Sequence, residues 1–126
     1  MNEQPKILVV DDEAEVISSL KEGLGIHGYH VLTALNGMEA VELARTEIPQ
    51  LILLDLMLPA LDGYRVLKLL KSDERYREIP ILVITARADA QDWALAMECG
   101  ADACLTKPVN LEVLLQRIRT YVDKGH

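Results

Sequence analysis

Five short aliphatic runs, each followed by a longer amphipathic stretch, govern what this chain can fold into. Lys6 to Val10, His30 to Ala34, Leu51 to Asp55, Ile81 to Thr85 and Ala103 to Thr106 have the length and the Val, Ile and Leu content of strands. They lack polar and apolar alternation, as strands buried on both faces do. After them, Ala14 to Ile26, Gly37 to Thr46, Asp62 to Ser72, Ala90 to Glu98 and Leu111 to Val122 carry apolar residues at helical spacing, as Val16, Ile17, Leu20 and Leu24 show in the first. Asn36 and Asp62 stand where N-caps are needed, Gly28 and Gly100 where helices end, and Pro49 and Pro80 just before strands. Five βα units without a repeat or a low-complexity linker predict an α/β fold, a parallel sheet covered by helices on both faces. Right-handed crossovers and five strands favour a doubly wound (βα)5 sandwich of flavodoxin-like order 2-1-3-4-5, one domain over residues 1–126.

Composition narrows the partners. Twenty Asp and Glu against 13 Lys and Arg give a net charge of −7, so the chain attracts cations and basic partners and offers nucleic acid no basic face. A chain of 126 residues buries enough surface to fold without disulfides or a structural metal, and with no Phe its core must be aliphatic. Cys99 and Cys104 match neither a C-x-x-C redox pair nor a zinc spacing and read as small core residues; His27, His30 and His126 are too scattered for a metal cage. Runs such as Leu51 to Leu54 are far too short to span a bilayer and Met1 to Lys6 is no signal sequence, so a cytoplasmic, membrane-free protein is expected.

In such a sheet, function sits beyond the carboxyl ends of the strands. The first strand runs into Asp11, Asp12 and Glu13, the third ends in Asp55, the fourth in Thr85, and the fifth just before Lys107 and Pro108. The second offers nothing comparable. In the order 2-1-3-4-5 the other four strands are consecutive, so carboxylates, a hydroxyl and an ammonium converge on one crevice. Any one of them alone has an ordinary reading: Asp11 or Asp55 as a helix cap, Thr85 as a strand residue, Lys107 as a surface charge. Together they do not. Like charges ~4 Å apart repel by up to ~4 kcal/mol at an effective dielectric of ~20, a cost that a hard divalent cation such as magnesium relieves. Lys107 and Thr85 then suit the oxygens of a phosphoryl group, and Asp55 is the nucleophile that would form an acyl phosphate.

With ILVVDDE, LILLDLMLPALDG, ILVITA and CLTKP in this order, nearly the whole chain resembles the receiver domain of two-component response regulators. The resemblance implies that Asp55 accepts a phosphoryl group from a histidine kinase or phosphotransfer protein, and that the domain is a signalling phosphoacceptor rather than an enzyme. It implies a magnesium ion on Asp12, Asp55 and the Met57 carbonyl, with Asp11 acting through water. Thr85 and Lys107 would hold phosphoryl oxygens, Ala86 keeps the approach open, and Lys107-Pro108 would be a cis peptide. Met57 and Arg87 are expected to shield the phosphoryl group from water and so set its lifetime.

Receivers usually carry Tyr or Phe three residues before the lysine, where this chain has Cys104. Ring rotation is therefore replaced by some other transmission, expected through the segment from Ala86 to Asp89 and the fourth helix with Trp93. Output would reach a downstream effector or a phosphorylation-dependent homodimer. Three readings from other classes compete. A flavin module is disfavoured because Asp11, Asp12 and Glu13 would repel its phosphate. An aspartyl-phosphate phosphatase has Asp-x-Asp where this chain has adjacent acids. A degenerate receiver acting only as an interaction module would have lost part of the acidic pair, Asp55 or Lys107. A complete regulator and the amino-terminal part of a longer one are equally compatible with the sequence.

Overall fold

The computed structural model describes residues 4–86 and 90–122. Strands and helices alternate: β1 Lys6–Val10, α1 Ala14–Ile26, β2 His30–Ala34, α2 Gly37–Glu47, β3 Leu51–Leu54, α3 Gly63–Lys71, β4 Ile81–Thr85, α4 Ala90–Glu98, β5 Ala103–Thr106 and α5 Leu111–Val122. All strand pairs are parallel and the sheet order is β2-β1-β3-β4-β5. The predicted order is therefore the one found.

The absence of sequence alternation has its explanation in two aliphatic layers. Leu8, Val10, Ile52, Leu54, Ile81 and Val83 point to one face, where α2 brings Ala40 and Ala44, α3 brings Val66, Leu67 and Leu70, and α4 brings Ala96. Ile7, Val9, Leu51, Leu53, Leu82 and Ile84 point to the other, against Ile17 and Leu24 of α1 and Leu114 and Ile118 of α5. Each fully buried Leu or Ile contributes ~1.5–3 kcal/mol relative to exposure, and the three central strands β1, β3 and β4 present such residues to both layers.

Helix boundaries follow local chemistry. The Asn36 side chain accepts the Glu39 amide at 2.8 Å and the Asp62 side chain accepts the Arg65 amide at 3.1 Å, so both are N-caps and α3 starts one residue after Asp62. Gly28 and Gly100 adopt φ of 92° and 111°, a region that L side chains resist. Helix α2 ends differently from any glycine stop: Ile48 takes the left-handed conformation at φ 45°, and Pro49 behind it disfavours continued helix. At the opposite end of the sheet from the acidic residues, Lys71 donates to Asp102 at 2.9 Å and to the carbonyls of Ile79 and Arg77 at 2.8 and 3.0 Å. That same Asp102 oxygen accepts the Ile81 amide at 2.8 Å, tying α3 to the entries of β4 and β5.

Among the described residues no helix is long and apolar enough to cross a membrane. Cys99 is buried and Cys104 half-buried, and both are free thiols.

Candidate functional site

The parallel ladder delivers the predicted residues to one edge. Because β1 pairs with β3 in register, with Val10 opposite Leu54, the residues that follow them, Asp11 and Asp55, leave the sheet side by side. Backbone hydrogen bonds extend the ladder one step past each strand: Asp11 donates to the Ala34 carbonyl at 3.1 Å and Asp55 to the Val10 carbonyl at 3.0 Å. Thr85 is fully buried at the end of β4 opposite Thr106, and its carbonyl accepts the Lys107 amide at 2.8 Å. The Lys107-Pro108 peptide is cis.

Lys107 is the centre of the arrangement. Its Nζ lies 2.7 Å from Asp11 Oδ2, 3.1 Å from Asp55 Oδ2 and 3.1 Å from Glu13 Oε1. Burial works against that ammonium, but the hydrogen bonds to Asp11, Asp55 and Glu13 outweigh it and hold its pKa well above the ordinary lysine value. Asp55 is shifted upward too. Burial pushes it above its ordinary 3.8, the Met57 amide and Lys107 pull it down by less, and the neighbouring Asp11 charge adds to the rise. The two rises have different causes: at Lys107 three carboxylates outweigh burial, whereas at Asp55 burial outweighs the Met57 amide and the one shared ammonium.

Asp11, Asp12, Glu13 and Asp55 each offer a carboxylate oxygen within 4.8 Å of the others. Asp11 and Asp55 are buried, whereas Asp12 and Glu13 face solvent. An all-oxygen donor set with two immobile and two hydrated acids fits magnesium, which favours one or two carboxylates and keeps its remaining waters. It suits zinc poorly, because zinc sites are built chiefly on cysteine sulfur and histidine nitrogen and this cluster offers neither.

Of the residues singled out from sequence, Asp11, Asp12, Asp55, Thr85 and Lys107 converge. Met57 sits beside them with its amide donating to Asp55 Oδ1 at 3.1 Å and its side chain exposed. Cys104 lies lower on β5, opposite Val83, with its sulfur 4.0 Å from the Met97 sulfur on α4. Trp93 is half-buried on α4, and Arg87 lies outside the described residues. Glu13 is the participant that sequence reasoning left without a role. Its signal was its place as third acid after β1, but only the fold shows that it reaches Lys107.

Residues 7–119 match the family model described as the response regulator receiver domain. The chain is 44% identical over 120 residues to the alkaline phosphatase synthesis transcriptional regulatory protein PhoP of Bacillus subtilis, covering 95% of this chain and 49% of that one. It is 41% identical over 120 residues to the DNA-binding dual master transcriptional regulator RpaA of Synechocystis, covering 95% and 50%. The chain thus spans about half the length of these curated relatives. Among solved structures, the receiver domain of a Pseudomonas aeruginosa sensor histidine kinase, with a magnesium ion coordinated in its active-site cleft, superposes with a TM-score of 0.89 at 28% identity, over 95% of this chain and 98% of that one.

Proposed function

The chain belongs to the response regulator receiver family of two-component systems, and on that premise we propose that it is one phosphoacceptor domain whose acceptor is Asp55. The phosphohistidine of a histidine kinase or phosphotransfer protein is the donor. An Asp55 carboxylate oxygen attacks phosphorus, the bond from phosphorus to the histidine nitrogen breaks, and that nitrogen keeps the electron pair. Lys107, already 3.1 Å from Asp55 Oδ2, turns its charge onto a phosphoryl oxygen, and Thr85 offers its hydroxyl to another. The single observation that supports this most is the Lys107 ammonium shared by two buried carboxylates at the end of β1 and β3.

Asp12, Asp55 and the Met57 carbonyl would hold magnesium, with Asp11 acting through water. When bound, the ion offsets the negative charge gathered at the transferring group. The domain is a signalling protein that takes part in its own phosphorylation and hydrolysis, not an enzyme acting on a separate substrate. Its output partner is a downstream effector or a second copy of the chain. Cys104 cannot perform a ring rotation, so the change leaves through α4, which carries Trp93.

Incubation with acetyl phosphate and magnesium should add one alkali-labile phosphoryl group to the protein, and none to Asp55→Asn. Undiminished labelling of the variant would refute the assignment.

A further inference from the structure

We infer that Glu13 is a positioning residue for Lys107: it retains the ammonium at the mouth of the site while Asp11 and Asp55 are given over to the cation and the phosphoryl group. The inference rests on the reading of Asp55 as phosphoacceptor. Three observations carry it. Lys107 has two buried partners, the Asp11 and Asp55 side chains at 4% and 6% exposure, and one solvent-facing partner, Glu13 at 62%. Glu13 also occupies the N-cap position of α1 in the extended conformation that capping requires, yet its side chain makes no cap hydrogen bond. The preferred caps are Ser, Thr, Asp and Asn, so this position serves the helix poorly and Lys107 directly. Finally, the Glu13 amide donates to Asp11 Oδ1 at 2.9 Å, so one residue orients Asp11 through its backbone and Lys107 through its side chain.

The reason for a third partner lies in the exchange that phosphorylation demands. A cation needs the oxygens of Asp55 and the neighbourhood of Asp11, which the ammonium holds when no metal is bound. Held only by those two, Lys107 would either compete with the cation or swing into solvent. Glu13 lies outside the buried pair, so its link to Lys107 persists while the other two exchange. The groove of about 620 Å³ that Glu13 and Lys107 line together with Val16, Leu20 and Pro108 leaves the approach from that side open.

Charge alone predicts the opposite outcome from positioning. Removing a negative charge beside an anionic donor speeds its approach, whereas losing the tether slows transfer. Rates of phosphorylation by acetyl phosphate are therefore to be compared at saturating magnesium, where metal affinity does not enter. Glu13→Gln should be slower by about three- to fivefold, the scale of one partly exposed ion pair. In a Lys107→Met background the same change should cause no further slowing. The Lys107 Nζ resonance should shift in Glu13→Gln, with and without magnesium, while the melting temperature stays close to the parent's because no cap bond is lost. A faster or unchanged rate, equal slowing without Lys107, or an unmoved Nζ resonance would each overturn the inference. Failure of the underlying reading would show separately, as absence of labelling in the parent or its persistence in Asp55→Asn.

Discussion

Replacing Lys107 by Met should destabilise the metal-free protein and make it depend on magnesium. The ammonium lies 2.7 Å from Asp11 and 3.1 Å from Asp55, and the three side chains are only 15%, 4% and 6% exposed. Removing one partner of a buried pair costs ~3–5 kcal/mol, because the other charge remains without compensation. The site opens to solvent through Asp12 and Glu13, so the lower end, ~3 kcal/mol, is the appropriate figure. For a domain of this size each kcal/mol moves the melting temperature by ~3–5 °C, which places the variant ~9–15 °C below the parent in chelator. Magnesium should close much of the gap. In the parent the ion must displace Lys107, whereas in the variant it meets carboxylates with no competing ammonium. At a hundredfold excess over its Kd a native-state ligand stabilises by ~2.7 kcal/mol, and the lower Kd of the variant makes its gain larger at equal magnesium. Thermal unfolding followed by circular dichroism, in chelator and in a magnesium series, measures both effects. A variant as stable as the parent in chelator, or a deficit that magnesium leaves unchanged, would refute the assignment of Lys107 as the internal counter-ion.

Asp12 is exposed, so Asp12→Ala should stabilise the metal-free protein by less than ~1 kcal/mol, through relief of repulsion, while abolishing the magnesium-induced rise in melting temperature. A retained rise would put the metal elsewhere. Folding raises the Asp55 pKa above 3.8, so its contribution to stability is fully present below that pH and is lost as pH climbs through the folded value. Asp55→Asn, which cannot ionise, should therefore gain on the parent across that window without metal; parallel stability curves would contradict the shift. Beryllofluoride with magnesium should alter Trp93 emission if α4 carries the output, and unchanged emission with unchanged amide shifts in α4 would exclude that helix as the moving element.

The architecture was legible because its signals are local. The aliphatic runs and their spacing locate every strand, and Asn36 and Asp62 are caps in the sequence as in the structure. The site was legible for a related reason: a parallel sheet of known order converts strand ends into neighbours, so Asp11, Asp55, Thr85 and Lys107 could be placed together without coordinates. Interactions between distant positions with no periodic signature were not legible. The bond from Lys71 to Asp102 spans 31 residues, and Glu13 reaches Lys107 across 94. The end of α2 at Ile48 has no sequence signal either, since a branched residue in the left-handed region is the opposite of the usual glycine stop. The cis geometry of Lys107-Pro108 came from the family resemblance, because nothing in the residues themselves distinguishes it from the commoner trans form.

On the proposed function, Asp55 and no other acid of the cluster forms the acyl phosphate. Borohydride reduction of the phosphorylated protein converts a phosphorylated aspartate to homoserine, which peptide mass spectrometry then locates. After treatment with acetyl phosphate and magnesium, homoserine is expected at position 55 alone. Homoserine at position 11 or 12, or a reduced protein with all its aspartates intact, would contradict it.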